Sequence, residues 1–534
     1  KDNLGNDMLY EYSQYFAAEN GENLELTLDA TVQYYLQKGI EEMCDAFSPA
    51  NGAAGVVLNV NSGAILGMAS YPNYDLNDFS VITDQTLLEQ IEREEITESQ
   101  AQLTQWRNKC LNDTYEPGST FKIITLASAL EEDMVDETTT VFCAGHTEVS
   151  GETIHCSQKE GHGQQTLQQS VGNSCNPAFI TYGLRLGTDT FYDYLDSFGL
   201  HGTSGVDLGG EAQGVFAQKD AFTQLDLACY AFGQNFTVTP LNLIAAQAAC
   251  VNGGYLYEPY LVEESRDSDG NVLYRHDATP VRQVISEETS AEVRECLEYV
   301  VSGGTGKNGQ VAGYRIGGKT GTADKTETRY TTKEVVVSFM CFAPADDPQY
   351  IMLLTMDTPQ RDTGTYPSGG NMVAPYSSAI MAEILPYLGF EPSYSAEELL
   401  GIDTTVPSVV GMGLDEAKSK LTERGFGCRV VGDGETVTDQ TPVGGVLIPG
   451  KSTVIIYMGA EKPTDLCTVP NLVGMTPSEA NAVMANSGLF LRFTGTTGRE
   501  SSTVRVFSQE TEHGTQLEAG SVVTVRLGDT AVRD

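Results

Sequence analysis

The last 130 or so residues of this chain copy themselves, and that duplication most restricts how its 534 residues can fold. Val406-Pro407 followed by Val410-Gly411-Met412 returns as Val469-Pro470 followed by Val473-Gly474-Met475, an offset of 63 positions. The same offset relates Glu416-Ala417 to Glu479-Ala480 and Gly425 to Gly488. Each copy closes on an alternating run, Thr453–Tyr457 or Val522–Arg526, after Pro449-Gly450 or Ala519-Gly520. A repeat of this period predicts two small units of about 55 to 60 residues, each a short helix followed by strands. They fall at 405–460 and 467–530, joined through Lys462-Pro463-Thr464. The larger, unrepeated part must then build a core of its own.

In that part, residues 1–20 show no clear period and read as the remnant of a preceding domain. Leu24 to Leu28 alternate as a strand, and Asp29 is positioned to cap an apolar-periodic helix reaching about Phe47. Gly55–Val60 and Ala64–Ala69 flank Asn61-Ser62-Gly63 as a hairpin. Residues 85–106 form a polar, acidic, helix-prone insertion. The helix expected after Pro117-Gly118 carries apolar residues on every side, as a buried helix does. Thr239-Pro240 opens another helix, Leu241 to Val251, and Ser290 to Val301 repeats that design. Three strands follow: Tyr314–Ala323, Val335–Phe342 and Tyr350–Met356. With the first hairpin they predict a mostly antiparallel five-stranded sheet flanked by helices, an α/β or α+β domain over 21–390, with 391–404 as a linker.

Composition removes some functions. There are 31 basic and 73 acidic side chains, a formal charge of −42, which repels phosphate backbones and anionic lipid heads. Nucleic acid is therefore not an expected partner. No apolar run of 18 residues occurs, and the chain begins at Lys1 rather than Met, so a membrane anchor is expected upstream. Of 11 cysteines, Cys44, Cys229, Cys250, Cys296 and Cys341 sit in apolar runs and read as small core residues. Without a C-x-x-C pair or an H-E-x-x-H run, a metal site is not expected. Cys143 and Cys156 bracket a polar loop, where a disulfide and free thiols fit equally. His162, between two glycines, reads as structural.

Three short motifs carry chemistry. Ser119-Thr120-Phe121-Lys122 sets a hydroxyl and an amine on one helical face. A serine needs a neighbouring base to attack, and an amine can be that base if burial or a nearby cation favours its neutral form. Ser174-Cys175-Asn176 could relay a proton and orient an amide, or could be an ordinary polar turn. Lys319-Thr320-Gly321-Thr322 lies on an expected strand, whose period puts Thr320 and Thr322 on one face. There two hydroxyls could hold a carboxylate beside the Lys319 charge, and Gly321 leaves room for a substrate along the strand. Residues 313–320 also fit the bare phosphate-loop pattern, but no parallel βαβ context surrounds them.

Together and in this order, the motifs resemble those of the penicillin-binding protein transpeptidases. Tyr115 through Lys122 matches the nucleophile segment, and Gly161-His162-Gly163, Gly233-Gln234, Thr239-Pro240 and Gly318 to Thr322 fall where that family has them. The resemblance is to the monofunctional class B enzymes of sporulation and division type, and the repeats resemble PASTA modules of Gram-positive bacteria. It implies the serine transpeptidase fold and a two-step acyl transfer without a cofactor. Ser119 would attack a D-alanyl-D-alanine stem peptide and Lys122 would take its proton. Ser174, supported by Lys319, would protonate the departing D-alanine. Asn176 would hold the donor amide, Thr320 and Thr322 its carboxylate, with Gly321 between them. An amine of a second stem peptide would resolve the acyl-enzyme, and β-lactams would stop it. It further implies a location on the outer face of the cytoplasmic membrane and a glycosyltransferase as partner. A non-catalytic wall or β-lactam sensor and a serine β-lactamase are the competing readings.

Overall fold

The computed structural model describes residues 21–326, 328, 331–394, 403–450, 452–462, 466–496 and 501–532. The segment 1–20, residues 395–402 of the expected linker, and Pro463-Thr464 lie outside the described residues.

Helix α1 (Ala30–Phe47) starts where its cap dictates, since the Asp29 carboxylate accepts the N–H groups of Thr31 and Val32. It buries Val32, Leu36, Ile40, Met43 and Phe47, a stripe at helical spacing. Strands β1 (Ala53–Asn59) and β2 (Ile65–Tyr71) form the expected hairpin. The acidic insertion folds as two short helices, Gln85–Glu92 and Glu98–Gln105, capped by Asp84 and Thr97. A 3-10 turn over Gly118–Phe121 runs into α2 (Lys122–Glu131), in which every residue from Lys122 to Leu130 is buried.

Four short strands follow, which the sequence reading did not anticipate: β3 (Thr140–Cys143), β4 (His146–Val149), β5 (Glu152–His155) and β6 (Gly163–Thr166). They make two ribbons, β3 with β6 and β4 with β5. Helices α3 (Leu167–Gly172) and α4 (Asn176–Leu186) flank the bend at Ser174. Helix α5 (Pro240–Val251), capped by Thr239, is buried throughout. Helix α6 (Glu287–Ser302) begins three residues before the expected Ser290, because Ser286 caps it and Glu287 and Glu288 suit the positive end of its dipole.

Strands β7 (Gly317–Asp324), β8 (Val335–Ala343) and β9 (Tyr350–Asp357) complete the sheet, ahead of α7 (Gly369–Met372) and α8 (Ala374–Tyr387). The spatial order is β7-β8-β9-β1-β2, and every neighbouring pair is antiparallel. Helices α1 and α8 share one core with the sheet, around Leu36, Val337, Leu354 and Ile380. Helices α2 and α5 share the other, with Val56, Phe121, Leu243 and Leu353. The fold is thus α+β, with β7 at an edge. The early strand pairs elsewhere: Asn23–Leu26 runs along Val262–Arg266, outside this sheet.

The repeats fold alike. The first has α9 (Leu414–Glu423), β10 (Gly427–Gly432), β11 (Asp439–Thr441) and β12 (Thr453–Met458). The second has α10 (Pro477–Asn486), β13 (Phe490–Gly495), β14 (Val504–Gln509) and β15 (Val522–Asp529). In each, the strand after the helix runs parallel to the last strand, and the middle strand antiparallel to it. The second unit rests on the larger domain. Phe507 meets Phe47 and Tyr376 at ring distances of 6.2 Å, the Arg526 guanidinium lies 5.2 Å from the Tyr376 ring, and Asn371 Nδ2 donates to the Val532 carbonyl. Among the described residues no helix is long and apolar enough to cross a membrane.

Candidate active site

Ser119 lies in the 3-10 turn ahead of α2 rather than in the helix itself. The geometry serves the same end, because side chains at i and i+3 of a 3-10 turn eclipse and bring Ser119 and Lys122 to one side. The turn is held by a close backbone approach: the Gly118 N–H donates to the Gly233 carbonyl at 2.8 Å. A Cβ on Gly233 would stand 1.9 Å from the Gly118 oxygen, so no other residue fits there. From behind, Gln247 of the buried α5 donates to the Thr120 carbonyl at 3.0 Å. Ser119 is half-buried at the surface of this packed layer, whereas Lys122 is 1% exposed.

The three motifs converge. Lys122 Nζ donates to the Ser174 carbonyl at 2.7 Å, to Ser174 Oγ at 3.2 Å and to Asn176 Oδ1 at 2.7 Å. Lys319 Nζ donates to the same Ser174 Oγ at 2.8 Å and to the Thr320 carbonyl. One hydroxyl therefore sits between two amines, both of them buried. Ser174 takes up a left-handed backbone, φ 51°, in the bend between α3 and α4. That conformation is uncommon for a non-glycine residue and turns its side chain and carbonyl toward Lys122. Asn176, at the start of α4, is fixed at its other end by donating from Nδ2 to the His155 carbonyl at 3.1 Å.

Strand β7 carries Lys319 to Thr322 and is paired to β8 over its whole length, and among the described residues no strand pairs with its other edge. An edge strand presents backbone groups on which an extended peptide can align. The strand period holds, but its two threonines differ. Thr320 is fully buried, and its hydroxyl is engaged with that of Thr305 at 2.9 Å. Thr322 is half-buried and accepts the Gly369 N–H at 3.2 Å. A Cβ at Gly321 would press on Ser338 Oγ at 2.4 Å and Thr120 Cγ2 at 3.0 Å. Gly321 thus also lets β7 lie against the nucleophile turn. Lys319-Thr320 stands in mid-strand of an antiparallel sheet, which excludes a phosphate loop.

Thr305, Gln247 and Gly369 support the site and went unnoticed in the sequence, since their roles arise from partners 15 to 127 positions away. A second cluster was also missed. Cys143, Cys156 and Cys175 are free, and with His162 they bring their ligand atoms within 4.8 Å of one another. The spacing C-x12-C-x5-H-x12-C was the available signal, longer than the pairs usually sought.

Residues 53–382 match the family model described as the penicillin binding protein transpeptidase domain, and 404–460 and 468–529 each match the PASTA domain. The chain is 36% identical over 470 residues to stage V sporulation protein D of Bacillus subtilis, covering 86% of this chain and 69% of that one. It is 29% identical to penicillin-binding protein PbpB of Mycolicibacterium smegmatis, covering 69% of this chain and 55% of the relative. Among solved structures, penicillin binding protein 3 of Mycobacterium tuberculosis complexed with ampicillin superposes with a TM-score of 0.62 at 25% identity, over 72% of this chain and 82% of that one.

Proposed function

The chain belongs to the penicillin-binding protein transpeptidases, and from that premise we propose that it cross-links peptidoglycan stem peptides through an acyl-enzyme on Ser119. The observation that carries this reading is the Ser174 hydroxyl accepting hydrogen bonds from both Lys122 and Lys319, which joins three motifs from distant parts of the chain.

In the first step Ser119 Oγ attacks the carbonyl between the two terminal D-alanines and passes its proton to Lys122. The backbone N–H groups of Ser119 and Thr322 stabilise the oxyanion. Ser174 delivers a proton to the leaving nitrogen, replenished through the lysines on either side of it. The C–N bond breaks, D-alanine departs, and an ester to Ser119 remains. Asn176 orients the donor amide, and the donor lies along the outer edge of β7 beside Gly321. Its terminal carboxylate meets Thr322, backed by Thr320 and the charge of Lys319. An amine from a second stem peptide then forms the new amide and frees Ser119. A β-lactam copies the donor, but its leaving group stays attached and the ester persists.

The test is labelling with a fluorescent penicillin. One adduct is expected, on the peptide containing Ser119, and none in Ser119→Ala; an unlabelled wild-type chain would refute the assignment. Amine-dependent release of D-alanine from a thioester donor separates a transpeptidase from a sensor that only acylates. Rapid turnover of a chromogenic β-lactam would instead favour a β-lactamase. Because stem peptides lie outside the cytoplasmic membrane, catalysis belongs on its outer face, and protease sensitivity in intact protoplasts checks this. A wall-building glycosyltransferase is the partner such a reaction requires, and its failure to cross-link with the chain in cells would count against that pairing.

A further inference from the structure

Residues 140–166 are thinly packed for a segment that holds one side of the site. The β4–β5 ribbon buries little besides Val149, and a lone two-stranded ribbon is marginally stable in water. Yet this segment supplies the His155 carbonyl that fixes Asn176. Small, loop-rich units of this kind are commonly secured by a cross-link.

We propose that Cys143, Cys156, His162 and Cys175 form a structural zinc site that pins the Ser174–Asn176 bend to the ribbons. Three thiols and an imidazole are a complete tetrahedral set for this ion. All four ligand atoms lie within 4.8 Å of one another, and Cys156 Sγ is 3.6 Å from His162 Nδ1. Bonds of about 2.3 Å to sulfur put tetrahedral sulfurs about 3.8 Å apart, so side-chain adjustments of under about an ångström close the set. The backbone is arranged for it. The Gly145 N–H points at Cys143 Sγ at 3.4 Å, a bond that supports thiolate charge. The loops bearing Cys143 and His162 touch through glycine: a Cβ on Gly161 would stand 2.3 Å from the Cys143 oxygen. Cys143, Cys156 and Cys175 are at most 4% exposed, and His162 is half-buried, giving the ion a way in. Core packing explains buried thiols one at a time. It gives no reason for three sulfurs to surround one imidazole nitrogen.

Binding releases three thiol protons and leaves a centre of net charge −1. Cys175 lies between Ser174 and Asn176 in the chain, so the ion would fix the left-handed bend from outside the reacting atoms. This is a positioning role, and it stands whether or not the acyl-transfer reading does.

The test is the metal content of the full chain, purified without an immobilised-metal column. About one zinc per chain is expected, falling below about 0.1 in Cys143→Ser. In case that variant fails to fold, wild-type protein is stripped with a chelator and given Co2+. The thiolate-to-cobalt charge-transfer bands and strong visible bands of a tetrahedral ion are expected. Zinc removal should slow penicillin acylation about tenfold, with recovery on adding zinc back, as loss of outer-shell support does at other sites. Folded wild-type protein with no zinc and no tetrahedral cobalt spectrum, or an intact mass 2 Da low from a Cys156–Cys175 disulfide, overturns the proposal.

Discussion

The two walls of the cleft are built in opposite ways. One wall is β7, eight residues paired in register to a fully buried strand, so Lys319 to Thr322 are positioned by the sheet itself. The other is the bend at Ser174, held by side-chain hydrogen bonds to Lys122 and Lys319 and by contact with two small ribbons. A strand supplies geometry through its ladder, and substitutions around it are absorbed by many neighbours. A bend has no ladder, so its geometry depends on a few tertiary ties.

The sharpest way to test this contrast is to remove the ties of the bend one at a time, beginning with the lysine that bonds both Ser174 and Asn176. Lys122→Ala should lower the second-order rate of penicillin acylation by about 10^3 to 10^4, the scale of a lost general base, while circular dichroism stays native. An unchanged rate would remove the amine from the chemistry. Ser174→Ala takes away the common acceptor of Lys122 and Lys319, and a loss of about 10^2 to 10^3 in the same rate is expected. Thr305→Val probes the sheet wall from behind. It leaves the buried Thr320 hydroxyl without its partner, at a cost of about 1 to 3 kcal/mol in denaturant titrations, with acylation reduced several-fold. A larger loss there than at Ser174 would reverse the ranking of the walls. Smallest of all, deleting residues 404–534 should change acylation less than about threefold, because the second repeat meets the larger domain at Phe47, Tyr376 and Asn371, residues outside the three motifs.

The sheet wall was also the more legible. Alternating apolar runs and the Gly-Gly before Lys319 located all five strands within three residues at each end, since strand period and sheet burial are local properties. Helix α1 was read correctly at both ends, because Asp29 is a cap and a 3.6-residue stripe follows it. The ribbons were not legible: His146 to His155 has mixed polar composition and no alternation deep enough to separate strand from loop. The motif residues could be named, but not the way they meet. Nothing local says that the Thr320 hydroxyl turns to Thr305 or that Lys319 reaches across to Ser174, contacts spanning 15 and 145 positions. The cysteine cluster escaped for the same reason, its members being 6 to 32 positions apart and assembled by the ribbons.

The docking of the second repeat has a practical corollary. Phe47 and Tyr376 are 3% and 4% exposed in the whole chain, and part of their cover is Phe507 and Arg526. A catalytic domain cut free after residue 394 would bare two aromatic faces side by side, together with the Asn371 amide that Val532 now satisfies. Such a patch invites self-association. The isolated domain should therefore keep its chemistry yet lose colloidal solubility, since the second repeat is what covers that patch in the whole chain.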